Sequence, residues 1–389
     1  MKKKHHIAIL VLLSMALSLP AQKNKVLAAK QMIDAGKYKE AKEEIELAVE
    51  HPKTASWPRT HYTRGLLCQT AYEQGVEKKD AKMTTLYPDQ LYVAYDSYEK
   101  ALELDLRERL QQNIRQKYFL LANDFRKMGE GLYAKKDYKG AFRAFEHALF
   151  IGESDLISAK ADTSLLYNTS MAAYESRDWG KAAKYLTLLH EGAYSPSTSL
   201  LLSKAYLNSG DTIQGEEIMM HSLELYAFKD TLVMYVVNHL VGSGNLETAI
   251  TVLDRSIEAR PENYRFLWAR ALVYQEKEKY EEAIESYLLA TELSEDNPEL
   301  YYHLGVCYYN IGVELRESAL NIKDNDSYRE ARQQYLEKFR ESVKWLEQSY
   351  EMDPYNAKTV ARLQQLYYQL KMKEKQKSLE EHLNGSEFE

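Results

Sequence analysis

Ten histidines and 58 acidic side chains give this 389-residue chain material for acid–base or metal chemistry, so spacing decides whether any of it is assembled. His190-Glu191 opens like the helix of a zinc protease but lacks the second histidine that would complete the ligand pair. Asp324-Asn325-Asp326-Ser327 has the polarity of a calcium loop, without the glycine at its sixth place or the glutamate at its twelfth, and reads as a helix cap or solvated loop. Gly242-Ser243-Gly244-Asn245 resembles a shortened phosphate loop, yet no strand pattern precedes it and no lysine follows in register, so its glycines punctuate a turn. Cys68 and Cys307 lie far apart on apolar helix faces and are expected to be buried free thiols. No metal site, cofactor or catalytic residue is expected.

The elements behind these residues are helices that recur. Gly215, Ala249 and Ala283 are each 34 residues apart. A large side chain follows each four residues on (Met219, Leu253, Tyr287), and a small one three further (Ser222, Ser256, Ala290). Two helices approach closely only where side chains are short, and a bulky neighbour one turn on fills the adjoining groove. A fixed period of this length, split by a polar turn such as Gln275-Glu276-Lys277-Glu278-Lys279, marks a stack of helix hairpins.

These residues resemble the tetratricopeptide repeat. The first-helix pattern is carried best by Tyr301, Leu304, Gly305, Tyr308 and Gly312. The second-helix pattern is carried by Gly36-Lys37-Tyr38-Lys39-Glu40-Ala41 with Ile45 and Ala48, and by Asp137-Tyr138-Lys139-Gly140-Ala141 with Phe145 and Ala148. The resemblance implies an all-α, right-handed α-solenoid of about eight hairpins over 25–354. The units are 25–52, 58–105, 115–151, 160–192, 197–226, 231–261, 264–294 and 298–354, and capping helices follow over 355–384 with a frayed tail at 385–389. The second and eighth units carry insertions, about 76–89 and 313–338, each after a Gly-Val-Glu tripeptide (Gly75-Val76-Glu77, Gly312-Val313-Glu314). The first reads as an overlong, solvated helix end and loop; both lengthen the first helix of their hairpin.

In this family the groove positions of each first helix face the partner. Carried over, they are Arg126, Glu130 and Tyr133; Tyr167, Met171, Tyr174 and Glu175; Lys204 and Asn208; Met234 and Asn238; Arg265, Trp268, Gln275 and Glu276; and Tyr302, Tyr309 and Asn310. Flat rings with a polar edge suit peptide contact. Members that hold a C-terminal carboxylate place an asparagine one turn after a basic residue, whereas Arg126 is followed by Glu130, whose charge would repel such a ligand.

The formal net charge is −7, and the first 21 residues hold three lysines and no acid, so the rest is more acidic still and poorly suited to nucleic acid. Lys2-Lys3-Lys4, an apolar run from Ile7 to Leu19 and the small Ala21 read as a cleavable signal peptide over 1–21, with an uncleaved membrane anchor as the alternative. No later run is long enough to span a bilayer. The expected function is a non-catalytic scaffold of the bacterial cell envelope, periplasmic or secreted, binding a protein or peptide partner in its groove. The alternatives are an exported glycan-binding repeat protein and an enzyme with its site in an insertion.

Overall fold

The computed structural model describes residues 23–158 and 162–385. The expected signal peptide and most of the expected tail lie outside the described residues. Those described form nineteen helices and no strand, an all-α solenoid of helix hairpins. They divide at Gly215–Glu216 into two compact units.

The first unit holds α1 (23–34) and α2 (Tyr38–Glu50); α3 (Pro58–Lys78), α4 (Ala81–Thr84) and α5 (Gln90–Leu104); α6 (Gln111–Ala134) and α7 (Tyr138–Glu153); α8 (Thr163–Glu175) and α9 (Trp179–Glu191); and α10 (Pro196–Ser209). The division falls within α11 (Thr212–Leu225). The second unit continues with α12 (Asp230–Gly242) and α13 (Leu246–Ala259), α14 (Tyr264–Glu276) and α15 (Tyr280–Leu293), α16 (Pro298–Ala319) and α17 (Asn325–Met352), and α18 (Ala357–Gln369) and α19 (Lys373–Gly385). Within each unit helices pack mainly on their neighbours in the chain.

The periodic residues make that packing. Ala249, Leu253, Ser256, Ala283, Tyr287 and Ala290 are all fully buried or within 1% of it. The hairpin turns share one backbone device. Gly36, Lys136, Arg177, Gly210, Gly244, Glu278 and Lys371 each take a positive φ two residues before the next helix starts. The amide after each reaches back to a carbonyl of the preceding helix, as in Asp137 N to Leu132 O at 3.0 Å and Lys279 N to Tyr274 O at 2.9 Å. This Schellman closure satisfies carbonyls a helix end would otherwise leave open.

The first insertion keeps that closure, at Lys79 before α4, and the second does not. Over 76–89, the expected solvated loop is only partly solvated. Residues 76–79 are exposed, but α4 folds back, and Tyr87 and Gln90 are 5% and 4% exposed. At 313–338 both helices are lengthened, so α16 and α17 run on as a long hairpin. The Asp324 stretch is a helix cap, its carboxylate accepting the Ser327 amide at 2.8 Å.

Candidate partner groove

The first helices of successive hairpins leave open clefts. In the first unit, α6 and α8 bound one of about 290 Å³, lined by Glu130, Tyr133, Tyr167, Asn168 and Met171 with the buried Phe145 among its walls. In the second unit, α12 and α14 bound another of about 330 Å³, lined by Met234, Asn238, Val241, Leu272, Gln275 and Glu276. Spacing along each helix produces this. Positions one turn apart share a face, so Glu130 and Tyr133 on α6 meet Tyr167 and Met171 on α8.

The clefts thus bring together Tyr133 with Tyr167, and Asn238 with Gln275. Tyr133 keeps its ring edge-on to Tyr138 across the turn, with centroids 5.1 Å apart, and Tyr167 lies 5.9 Å from Tyr194. Burial raises the Tyr133 hydroxyl above its usual range, with the charge of Glu175 adding to it. Glu130 is held loosely, 3.6 Å from Arg126, whose guanidinium is closer to Asp162 at 3.0 Å.

Other expected groove residues turn part of themselves inward. Tyr174 packs edge-on to Trp179 at 5.2 Å, and Trp268 stacks on Tyr264 at 6.5 Å against the core of α14–α16. Gln275 accepts the Tyr287 hydroxyl at 2.9 Å and lies 3.2 Å from His303 Nδ1, tying α14 to α15 and α16. Tyr302 meets His303 edge-on at 5.3 Å. The Tyr309 hydroxyl accepts Gln365 Nε2 at 2.8 Å, and its ring lies over Phe339 and under Arg362. Lys204 and Asn310 are half-buried, while Asn208, Asn238 and Arg265 are exposed. Asn168, Val241 and Leu272 line the clefts although the repeat pattern does not single them out.

Reactive groups are sealed. Cys68 and Cys307 are buried free thiols pushed up to about 12 by desolvation. His190 Nδ1 lies 2.6 Å from Ser199 Oγ, but the two residues are 4% and 0% exposed, closed to any substrate. Among the described residues no three metal-binding side chains converge, and no helix is long and apolar enough to cross a membrane.

Residues 273–312 match the family model for the TPR repeat. Among solved structures, the chain is similar to a TPR repeats protein from Bacteroides fragilis NCTC 9343, at 16% identity over 64% of this chain and 98% of that one, with a TM-score of 0.37. It is also similar to MamA from Desulfovibrio magneticus RS-1, at 19% identity over 49% and 97%, with a TM-score of 0.31. No curated protein matches the chain.

Proposed function

We propose, for a chain that carries a tetratricopeptide repeat within an all-α array of helix hairpins, that it is a non-catalytic scaffold holding a protein or peptide partner along its first helices in the bacterial cell envelope. The observation that carries this reading is the cleft between α6 and α8. There two tyrosines present faces and hydroxyls beside an acid and an amide, over a floor that already belongs to the hairpin core. Rings anchored by their own neighbours lose little entropy on contact, so a partner side chain entering between them gains affinity cheaply. The envelope setting rests on Lys2-Lys3-Lys4 and the apolar run after them.

The test is capture of partners from envelope extracts by the wild type and by Tyr133→Ala/Tyr167→Ala. Each ring is worth about 1–2 kcal/mol at a well-packed contact, so the pair should weaken capture at least about tenfold. Helicity by circular dichroism should not change, because neither tyrosine is a fully buried core residue. Unaltered capture would remove the cleft from the function. Retention on immobilised polysaccharide with no protein captured would replace the peptide partner by a glycan.

A further inference from the structure

Away from these clefts, the N-terminal ends of α3 and α6 border a recess of about 440 Å³ bounded by Trp57, Arg59, Leu104, Leu106, Arg107 and Arg109. Arg59 stands in the first turn of α3, and Arg107 and Arg109 on the connection Leu104-Asp105-Leu106-Arg107-Glu108-Arg109-Leu110. All three arginines are exposed. Among the described residues none of the three guanidinium groups has an ion pair or hydrogen bond, in a chain where acids outnumber cations. Their neighbours do otherwise: Arg64 binds Glu46 at 2.7 Å and Arg143 binds Asp89 at 2.9 Å.

Two acids stand on the same connection, and one of them, Asp105, lines the recess against the three arginines. Asp105 is buried and accepts the Leu110 amide at 2.5 Å, which fixes the connection. Glu108 is exposed on the same connection and does not line the recess. Neither bordering helix has a side-chain cap, since Trp57 and Leu110 occupy the N-cap positions, and the positive ends of both helix dipoles add to the potential. Beside the charges is apolar surface. Leu106 is 92% exposed, and the Trp57 indole lies 6.0 Å from the Arg59 guanidinium and 5.3 Å from Lys23 Nζ.

We infer that this recess docks an acidic peptide segment in which carboxylates sit next to an aromatic or leucine side chain. Guanidinium forks take carboxylates in paired hydrogen bonds, and the Trp57 and Leu106 side chains take the apolar neighbour. A peptide side chain enters a recess, whereas a planar lipid surface meets only its rim. The site is separate from the groove, because Gln111 and Glu130 stand about 30 Å apart along α6.

The probe is a fluorescein-labelled peptide alternating Glu and Asp with Phe and Leu, titrated by fluorescence anisotropy with the full chain. Binding is expected to weaken at least about 30-fold in Arg107→Glu/Arg109→Glu, and by a smaller factor in Arg107→Gln/Arg109→Gln. Tyr133→Ala/Tyr167→Ala should leave it unchanged, and raising the salt should weaken binding most in the chains that keep both Arg107 and Arg109. Circular dichroism of both arginine variants shows whether they fold; should the glutamate pair not fold, the glutamine pair decides. No binding of the peptide to the wild type, or equal binding by the folded variants, would overturn the assignment. So would arginine-dependent sedimentation with phosphatidylglycerol vesicles in place of peptide binding.

Discussion

After Gly75 and after Gly312 the chain continues with the same pair, Val-Glu, and in both places the first helix of a hairpin outruns its usual stop. At Gly75 the helix ends at Lys78. Lys79 takes φ 54°, Asp80 N reaches back to Gly75 O at 2.8 Å, and the Asp80 carboxylate then caps α4. Thr84, Thr85, Pro88 and Asp89 allow no further helix, and the chain is held by polar bonds. Gln90 Nε2 donates to the carbonyls of Cys68 and Met83, both at 2.9 Å, Tyr87 donates to Glu46 at 2.7 Å, and Lys42 donates to Leu86 O at 2.6 Å. At Gly312 the helix runs on to Ala319, and α17 returns through Tyr328 to Phe339 in a stretch rich in Arg, Glu and Gln, all good helix formers. Phe339 is 2% exposed and packs against Tyr309 and Tyr335. Glycine serves both places in the same way. A Cβ would come within 2.7 Å of Met83 Cβ at Gly75 and of the Phe339 ring at Gly312. What differs is the material behind the glycine: one lengthened hairpin is clasped by hydrogen bonds, the other zipped by rings.

Removing the ring should therefore have the largest effect. Phe339→Ala empties a fully packed site and should cost about 3–5 kcal/mol in chemical denaturation monitored by circular dichroism. A loss below about 1 kcal/mol would show that the long hairpin stands on something other than its apolar seam. The polar clasp should give a smaller value. Gln90→Ala removes the side-chain donor to the buried Cys68 carbonyl and the half-buried Met83 carbonyl and should cost about 2 kcal/mol, with new protease cleavage between residues 79 and 89. Cleavage there in Phe339→Ala instead would break the contrast.

Sequence pattern reveals the seam better than the clasp, for a physical reason. Packing positions repeat because every hairpin must solve the same close approach, so Ala249 and Ala283 were legible from the period, and Leu304 and Gly305 from the resemblance to the repeat family. Gln90 has no periodic role: its two acceptors lie 22 and 7 residues away, and only the folded chain brings them together. The groove shows the same division. Tyr133 and Tyr167 line their cleft as the repeat positions imply, whereas Gln275 and Tyr309 stand at equivalent positions with hydrogen bonds to neighbouring helices. Repeat register fixes which side of a helix a residue occupies. The length of its side chain and the identity of the next helix decide whether it reaches a partner or its own chain. Arg59, Arg107 and Arg109 belong to no repeat position at all, and their convergence depends on how α3 and α6 begin.

The polar character of the first lengthened hairpin extends to the contact of α3 with α6, and there the smallest effect should be a gain. Gln69 donates to Glu73 at 3.0 Å and accepts the Tyr98 hydroxyl at 2.9 Å, while one oxygen of Asp124, Oδ2, is buried without a hydrogen-bond partner. Burial, with the charge of Glu73 adding to it, raises the Asp124 carboxyl to about 7, and Lys127 offsets only part of this. A carboxyl whose folded pKa lies above its unfolded value of about 3.9 lends stability while protonated. That stability is fully present below about pH 4 and is lost as pH rises through about 7. Asp124→Asn removes the titration and keeps the shape. It should melt higher than the wild type at pH 8, by about 1 kcal/mol or less once solvent screening of this half-buried site is allowed for, and the difference should close as pH falls to 4. A pH-independent gain at Asp124 would mean that the contact of α3 with α6 is limited by packing, as the contact of α16 with α17 is, and that the two hairpins differ less in kind than their hydrogen bonds suggest.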